Sequence, residues 1–391
     1  MTVKELDSAY VAHAYGRFDA VLTEGKGSVL QDESGKQYID MTSGIGVNAF
    51  GVSDAPWVAA VTAQLQRLQH ISNLYYTEPC AQLAEALCAK TGMKKVFFAN
   101  SGAEANEGMI KFARKYSFDQ YGEGRKTIIT LTDSFHGRTV TTLAATGQAE
   151  FHTVFGPFTE GFVYCPANDC EALKAMITPD VCAIMLECIQ GEGGVNDLTQ
   201  AFADCVAAIA EENDILLLVD EVQTGNGRTG KYFAYEHYGL TPDIVSTAKG
   251  LGGGLPIGAV LFGEKVQSTV TPGSHGSTFG GNPVAAAGAL SIVGRINEAL
   301  LTSVTEKGAY IREKLSAMPG VTALSGKGLM IGISTNRNAA SVAKACLAKG
   351  LLVLTAHHNK VRLLPALNIP YETIDEGLAI LGEVLNDETL A

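Results

Sequence analysis

Residues 215–223 read Ile-Leu-Leu-Leu-Val-Asp-Glu-Val-Gln, so that five apolar residues run directly into two carboxylates. A short run of branched apolar residues is typical of a strand that is buried on both faces of a parallel sheet. An acid at the end of such a strand either caps the next segment or pairs with a cation or hydrogen-bond donor. The stretch therefore predicts a buried strand with Asp220 at its carboxyl end.

Similar short apolar runs lie on both sides of this stretch and alternate with longer helical patterns. They are Val96–Ala99, Thr127–Leu131, Cys182–Leu186 and Ile244–Ser246. Alternation of this kind predicts βαβ units and therefore an α/β fold with a mostly parallel sheet. A helix is predicted over Val284–Leu300, and the first 45 residues contain a hairpin-like segment, Gly27–Asp40.

Polar residues follow four of the predicted strands. Residues 100–102 read Asn-Ser-Gly, Glu187 and Asp220 each end a strand, and Lys249 comes soon after Ser246. In doubly wound sheets, ligands bind beyond the carboxyl ends of the strands. We therefore expect these side chains to converge on one site.

Lys249 stands between small residues and a glycine-rich turn, Gly250-Leu-Gly-Gly-Gly-Leu-Pro-Ile-Gly258. A lysine that is desolvated in such a place has a lowered pKa and becomes nucleophilic, as Schiff-base formation with an aldehyde requires. A surface lysine beside a flexible loop is the alternative.

Residues 95–107 predict a strand followed by the start of a helix. The small residues Ser101, Gly102 and Ala103 would leave backbone N–H groups free for a phosphate at the helix N-terminus. Ser101 with Glu104 is equally compatible with a simple capping box. A phosphate cradle, a carboxylate for a ring nitrogen and an aldehyde-capturing lysine together match pyridoxal phosphate better than any other cofactor.

With these elements in place, nearly the whole chain resembles the class III, or ornithine-type, aminotransferases. Six ordered blocks carry the resemblance: residues 100–107, 134–139, 187–194, 220–230, 248–258 and 277–283. The resemblance implies an α/β structure of the fold type I pyridoxal-phosphate-dependent transferases. It also implies a large cofactor-binding domain over residues 46–290, and a smaller α/β domain built from residues 1–45 and 291–391.

The resemblance assigns Lys249 and Asp220 as the catalytic residues. Lys249 would carry the cofactor, Asp220 would keep its ring nitrogen protonated, and Phe135 and Val222 would pack on opposite ring faces. Gln223 would bond the ring hydroxyl, and Thr278 would complete the phosphate site from the neighbouring subunit of a homodimer. The predicted cofactor contacts are Ser101, Gly102, Ala103, Phe135, Asp220, Glu221, Val222, Gln223, Lys249 and Thr278.

The same resemblance implies transfer of the δ-amino group of acetylornithine to 2-oxoglutarate, a step of arginine biosynthesis. Arg138 would bind the carboxylate far from the reacting carbon, with Ser277 of the partner subunit on the same substrate. Arg362 would bind the carboxylate next to the reacting carbon of glutamate, and Glu192 would neutralise it for acetylornithine, which has no such group.

Three alternatives stay open from the sequence. Ornithine, succinylornithine and 4-aminobutyrate aminotransferases share the same cofactor logic, and a cofactor-binding protein without turnover would keep part of it. Residues 225–230 also match Gly-x-Gly-x-x-Gly, the pattern of dinucleotide-binding oxidoreductases. The poor helix start that follows, and the absence of a ribose-binding acid about 20 residues on, count against that reading.

Composition and charge indicate which partners and locations are not expected for this protein. The chain has 391 residues, 46% of them hydrophobic, and a formal net charge of -12, so nucleic acid is not expected as a partner. No signal-peptide pattern and no long apolar run occur, which predicts a cytoplasmic protein without a membrane partner. The eight cysteines form no Cys-x-x-Cys pair. We therefore expect reduced thiols and no metal.

Overall fold

A computed structural model describes residues 1–387 of the chain. The strands are β1 (Leu22–Lys26), β2 (Val29–Asp32), β3 (Gln37–Asp40), β4 (Lys95–Ala99), β5 (Thr127–Leu131), β6 (Phe162–Cys165), β7 (Val181–Leu186), β8 (Ile189–Gln190), β9 (Asn196–Asp197), β10 (Leu216–Asp220), β11 (Ile244–Thr247), β12 (Gly258–Phe262), β13 (Val321–Ser325), β14 (Ile331–Thr335), β15 (Leu351–Leu352), β16 (Leu354–Ala356) and β17 (Lys360–Leu363). The α-helices are α1 (Val3–Tyr10), α2 (Ser43–Gly46), α3 (Ala55–Leu65), α4 (Glu78–Thr91), α5 (Gly102–Tyr121), α6 (Val140–Ala145), α7 (Cys170–Ala175), α8 (Gln200–Glu212), α9 (Pro283–Val293), α10 (Glu298–Ser316), α11 (Ala339–Ala348) and α12 (Tyr371–Leu385).

Seven strands form the central sheet, in the order β4-β12-β11-β10-β7-β5-β6. The β11–β10–β7–β5–β6 part is parallel, whereas β12 runs antiparallel to both of its neighbours. Every residue of β7, β10, β11 and β12 is buried, as expected for strands covered on both faces. The predicted α/β class with a mostly parallel sheet is confirmed.

All five apolar runs of the large sheet are strands in the structure, with ends that differ by a residue or so. The run at 215–219 becomes β10, which begins at Leu216 and includes Asp220. Neither β6 nor the antiparallel β12 was anticipated from the sequence. Because β12 inserts between β4 and β11, it brings the end of β4 and the start of α5 to the same edge as Asp220 and Lys249.

The predicted helix over residues 284–300 is wrong in its extent. The structure breaks it into α9 and α10, which are bent by 71° at the residues between them. Asn297 begins a new helix there, because its side chain accepts a hydrogen bond from the backbone of Leu300. A cap inside an apolar pattern is thus a stronger local determinant than the periodicity around it.

The two ends of the chain meet in a second sheet, β1-β2-β3-β15, in which β15 pairs in parallel with β3. The hairpin-like segment at 27–40 supplies β2 and β3. A third sheet, β13-β14-β17-β16, belongs to the C-terminal third and carries Arg362 on β17. The division into a large domain over residues 46–290 and a smaller one built from residues 1–45 and 291–391 stays a prediction.

Cysteine chemistry departs from the expectation at one pair. Cys170 on α7 and Cys205 on α8 form a disulfide, so the prediction of reduced thiols is wrong for these two residues. The pairing lies across 35 residues of sequence, and only the packing of α7 against α8 brings the two side chains together. The remaining six cysteines are free.

Within residues 1–387, no single helix has both the length and the apolar composition needed for crossing a membrane, although the bent pair α9 and α10 meets these requirements jointly.

Candidate active site

A cavity of about 600 Å³ lies at the carboxyl ends of the central strands. Its walls contain most of the polar residues that the sequence placed at strand ends. The full lining is Asn100, Ser101, Gly102, Ala103, Asn106, Phe135, His136, Gly137, Arg138, Glu187, Asp220, Val222, Gln223, Ala248 and Lys249, with Tyr15 and Val47 from the N-terminal part and residues 254–257 after the lysine. The predicted convergence is therefore observed.

Asp220 is held at the cavity floor by three donors. Its Oδ2 accepts a hydrogen bond from Asn106 Nδ2 at 2.7 Å and lies 2.8 Å from His136 Nδ1. Its Oδ1 accepts from the backbone N–H of Val222 at 2.9 Å. Asn106 is itself fixed, because its Oδ1 accepts from Ser246 Oγ on the neighbouring strand β11. The carboxylate is buried and held by these three bonds, and none of the lysines and arginines within residues 1–387 is bonded to it.

One end of the cavity is the N-terminus of α5. Ser101 caps that helix by accepting from the backbone N–H of Glu104 at 3.2 Å. Among residues 1–387, no acceptor is bonded to the N–H groups of Gly102 and Ala103, which belong to the first turn. A Cβ added to Gly102 would lie 2.6 Å from Val222 Cγ1, so only glycine lets the helix start approach Val222 this closely. Helix capping and an anion cradle coexist here.

Lys249 follows β11 and has a positive φ of 44°, an uncommon conformation for a residue with a side chain. Burial lowers the pKa of its amine, although the nearby carboxylates of Glu192 and Asp220 act in the opposite direction. A lowered pKa increases the fraction of neutral, nucleophilic amine at ordinary pH. The alternative of a solvated surface lysine does not describe this residue.

These residues fit pyridoxal phosphate. The free N–H groups at the start of α5 suit a phosphate, Asp220 suits a protonated ring nitrogen, and the Lys249 amine suits an aldehyde. Phe135 and Val222 line the same cavity and offer apolar surfaces for a ring. His136 Nε2 is buried and has no hydrogen-bond partner in the described part of the chain, which leaves one polar atom unsatisfied beside this site.

Glu192 and Arg362 form a partly buried ion pair beside the cavity. Arg362 Nη1 lies 2.9 Å from Glu192 Oε1, and Nη2 lies 3.2 Å from Oε2. The side chain of Arg362 is 3% exposed and that of Glu192 is 31% exposed. Burial is the largest single influence on the pKa of Glu192 and would raise it, but the charge and hydrogen bonds of Arg362, the charge of Lys249 and the hydrogen bond from Gln223 together lower it.

Gln223 connects this pair to the cavity wall. Its Oε1 accepts from Arg362 Nη1 at 2.8 Å, and its Nε2 donates to Glu192 Oε1 at 3.1 Å. Gln223 was predicted to bond a cofactor hydroxyl, and in this conformation its amide is shared with the ion pair instead. Any change in the Glu192–Arg362 pair therefore reaches the cavity directly.

Arg138 also lines the cavity and is exposed. Its guanidinium stands 4.0 Å from the centroid of the Phe151 ring and 5.5 Å from that of Phe135. Within residues 1–387 it has no ion-pair partner. A guanidinium supported by aromatic rings and free of internal carboxylates is suited to bind an external carboxylate.

Ser277 and Thr278 do not line the cavity of their own chain. Ser277 Oγ accepts from the backbone of Gly280 at 2.9 Å and from Asn100 Nδ2 at 3.3 Å. Thr278 is exposed, next to the exposed ring of Phe279. Their predicted roles depend on a second subunit.

Glu221 does not reach the cavity, so its predicted cofactor contact is corrected. Side chains alternate in direction along an extended segment, and Glu221 turns away from the site that Asp220 faces. Its carboxylate accepts from Thr224 Oγ1 at 2.6 Å and from the backbone N–H of Tyr235 at 2.9 Å. It is fully buried, and burial raises its pKa to about 7.

The burial of Glu221 predicts a pH-dependent stability. The folded-state pKa exceeds the unfolded value, so the proton stabilises the fold below pH 4.5, and this contribution is lost as the pH rises through about 7. Glu221→Gln removes the titration. The quantity compared is the free energy of unfolding of the variant minus that of the unsubstituted protein. We expect this difference to be about 3 kcal/mol higher at pH 8 than at pH 4.5. Urea unfolding of both proteins at pH 4.5 and pH 8 measures the difference. The same difference at both pH values would contradict the prediction.

Three site residues received no role from the sequence. Asn106 and His136 orient Asp220, and Glu187 accepts from the backbone N–H groups of Phe135 and Gly191. Burial raises the pKa of Glu187 to about 7, with His136 lowering it and Asp220 raising it. In the sequence, only the position of Glu187 at the end of a strand indicated that it belongs to the site. Asn106 and His136 lie inside the blocks 100–107 and 134–139, and nothing in the local pattern indicates that they contact Asp220.

The segment at 225–230 does not behave as a dinucleotide-binding loop. It forms consecutive turns, and the next helical element is a short 3₁₀ helix, Ala234–Tyr238, rather than an α-helix. The phosphate-binding geometry of that motif needs the N-terminus of an α-helix directly after the glycines.

Comparison with known proteins agrees with this geometry. The family model described as aminotransferase class-III matches residues 10–385. Acetylornithine aminotransferase of Haemophilus ducreyi is 52% identical over 388 residues, which is 98% of each chain. The N-acetylornithine aminotransferase structure from Stenotrophomonas maltophilia superposes with a TM-score of 0.85 at 35% identity, covering 97% of this chain and 98% of that one. An ornithine aminotransferase structure from Toxoplasma gondii, with pyridoxal phosphate at partial occupancy in its active site, gives 0.92 at 29% identity, covering 98% and 93%.

Proposed function

This chain belongs to the class-III aminotransferases, which are pyridoxal-phosphate-dependent enzymes, and we propose that its amino donor is N2-acetyl-L-ornithine and its acceptor 2-oxoglutarate. The products are N-acetylglutamate semialdehyde and glutamate, which places the reaction in arginine biosynthesis. The observation that carries the proposal is the partly buried Glu192–Arg362 pair near Lys249, in a site whose cavity is also lined by Arg138, an arginine without an ion-pair partner among residues 1–387.

The cofactor, when bound, takes up the amino group and accepts the electron pair released at the reacting carbon. Asp220 holds a proton on the ring nitrogen, because a buried carboxylate favours the charged form of a base beside it. Asn106 and His136 keep that carboxylate oriented through their contacts with Oδ2. Phe135 and Val222 exclude water from the two ring faces.

Lys249 has two tasks in this mechanism. Its amine holds the cofactor before the substrate arrives, and after displacement its Nζ moves a proton away from the reacting carbon. Burial supports both tasks, because it lowers the pKa of the amine and so leaves Nζ able to accept a proton. The same atom returns the proton when 2-oxoglutarate is aminated.

Two arginines allow one site to accept two kinds of substrate. Arg138 binds the α-carboxylate of acetylornithine, which lies far from the reacting δ-carbon. That substrate has no carboxylate beside the δ-carbon, so Glu192 supplies the anion for Arg362. With glutamate or 2-oxoglutarate, Glu192 releases Arg362, and the substrate carboxylate takes its place in a bidentate pair.

A homodimer is part of the proposal. Thr278 and Ser277 are absent from the cavity wall of their own chain, and they complete the site of the partner subunit. Exposed apolar side chains support an interface at this face, because Leu74, Tyr75, Tyr76 and Phe279 are all solvent-accessible in the single chain. Contiguous exposed apolar surface of this kind is typical of protein interfaces.

The choice of donor is tested by single-turnover spectra of the cofactor. We expect acetylornithine to convert the holoenzyme faster than ornithine, succinylornithine or 4-aminobutyrate. A faster reaction with 4-aminobutyrate would contradict the proposed donor without affecting the family assignment.

A cytoplasmic location stays a prediction from the sequence.

The switch at Glu192 gives a prediction for the two half-reactions. Glu192→Gln leaves Arg362 buried without a counter-charge when acetylornithine is bound, so we expect that half-reaction to slow by about tenfold to a hundredfold. The glutamate half-reaction supplies its own carboxylate and should change by much less. Single-turnover rates with each substrate measure the two effects separately.

Glu306→Gln is the matched control, because it removes the same charge from an exposed position on α10. It should leave both half-reactions unchanged. Equal slowing of both half-reactions by Glu192→Gln would show that Glu192 is structural and that no switch operates.

A further inference from the structure

Asp133, His357 and His358 form a cluster outside the catalytic cavity. One ligand atom from each residue lies within 4.8 Å of those of the other two. The closest contact is between His358 Nε2 and Asp133 Oδ2, at 3.2 Å. Asp133, His357 and His358 together are the Asp-His-His cluster.

Two distant segments build the cluster. Asp133 follows β5 in the loop that leads to Phe135 and Arg138, and the histidines form the turn between β16 and β17, 225 residues further on. Asp133 and His358 both have a positive φ, of 64° and 56°. The centroids of the two imidazole rings lie 4.3 Å apart, and the ring of His358 contacts the carboxylate of Asp133.

The chain around Glu192 packs against both halves of the cluster. A Cβ on Gly193 would lie 2.3 Å from the backbone oxygen of Asp133, and one on Gly194 would lie 3.0 Å from that of His357. The backbone N–H of His357 also donates to the backbone oxygen of Glu192 at 3.0 Å. Residues 192–194 therefore lie between the loop of Asp133 and the turn of the histidines.

An ion pair between His358 and Asp133 explains only part of this arrangement. The ring of His357 has no hydrogen-bond partner among residues 1–387, although it points toward the same carboxylate and imidazole. Two imidazoles and one carboxylate are the donor set that zinc and related divalent transition ions prefer. Small rotations of the exposed rings would give the spacing needed for bonds of about 2.1 Å.

We propose that the Asp-His-His cluster binds a divalent transition-metal ion, with zinc as its best match, and that the ion joins the loop of Asp133 to the β16–β17 turn. Water completes the coordination on the exposed side. No metal was expected from the sequence, because Asp133 lies more than 220 residues from the two histidines. These ligands meet through tertiary folding alone.

The bound ion would brace the Glu192 segment from outside, since that segment packs against both connected loops. Binding of the ion does not depend on which amino donor the enzyme uses. Because the experiment measures zinc bound per chain and not turnover, a negative result would leave the proposed function unaffected.

Isothermal titration calorimetry of the holoenzyme with zinc chloride, in a phosphate-free buffer, tests the site. We expect the double variant His357→Gln/His358→Asn to lose one zinc site per chain, or to bind there at least about tenfold more weakly. Asn is chosen at position 358 because it tolerates a positive φ. His13→Gln, which removes an exposed imidazole far along the chain, is the control and should bind zinc as the unsubstituted protein does.

Asp133→Asn provides a second variant, because Asn keeps the left-handed backbone and the size of the side chain. It should also weaken zinc binding, while the cofactor absorption band shows that the fold is retained. Zinc binding that is equal in all four proteins, or absent from the unsubstituted one, would overturn the proposal.

Discussion

Lys249→Ala is expected to reduce turnover by a factor on the order of 10⁴ or more. The substitution removes the amine that holds the cofactor and also the base that moves the proton at the reacting carbon. The cavity would still hold the cofactor through the N–H groups of Gly102 and Ala103 and through Asp220. Steady-state turnover and cofactor content together measure the effect, and we expect the first to collapse while the second is largely kept.

Lys26→Ala is the control, because Lys26 is an exposed lysine on β1. It should turn over normally. Substantial activity in Lys249→Ala would contradict the assignment of both the cofactor attachment and the proton transfer.

The Lys249 variant also tests whether sites are shared between subunits. Thr278→Glu places a negative charge where the partner's phosphate site is proposed, and should inactivate both sites of its own dimer. Mixed dimers with Lys249→Ala contain one site with an intact lysine and an intact threonine. About a quarter of normal activity should therefore return after subunit exchange. No recovery, despite exchange, would place Thr278 outside the partner's site.

Asp220→Asn is expected to lower the turnover number by about 10³-fold. Asparagine has almost the same size but carries no charge to hold a proton on the ring nitrogen. Asparagine also has only one acceptor oxygen, whereas Asp220 accepts with both: Oδ2 meets Asn106 and His136 at 2.7 and 2.8 Å, and Oδ1 accepts from the backbone N–H of Val222. Both the charge and its orientation are lost, and single-turnover rates measure the combined effect.

Two controls separate charge from packing at this position. Asp220→Glu keeps the carboxylate and should retain more activity than Asp220→Asn. Glu221→Gln removes the neighbouring buried carboxylate, which faces Thr224 and Tyr235 instead of the cavity, and should change the turnover number by no more than a few-fold. If Glu221→Gln were as damaging as Asp220→Asn, the correction made for Glu221 would be wrong.

Local sequence predicted the sheet well, because strands such as β10 are apolar throughout and end at a polar residue. The rule that ligands gather at the carboxyl ends of parallel strands then placed Asp220, Lys249 and the start of α5 together. What local patterns do not contain is strand order. The insertion of β12 between β4 and β11 depends on which strands pair, and this is decided by the packing of the whole core.

Two further features could not be predicted from the sequence: the direction in which a side chain points, and contacts between residues that are far apart in the chain. A pair of adjacent acids does not reveal which one faces the site, so Glu221 was predicted to contact the cofactor although only Asp220 of the two lines the cavity. The roles of Asn106 and His136 depend on contacts 114 and 84 residues away in sequence. The disulfide between Cys170 and Cys205 and the Asp-His-His cluster likewise arise from tertiary packing.

The central claim is that the cofactor is held covalently by Lys249. Reduction of the holoenzyme with borohydride, followed by peptide mapping, tests it most directly. We predict a single cofactor-labelled peptide whose modified residue is Lys249, and no label in Lys249→Ala. Label on a different lysine, or no label in a protein that contains the cofactor, would contradict the account.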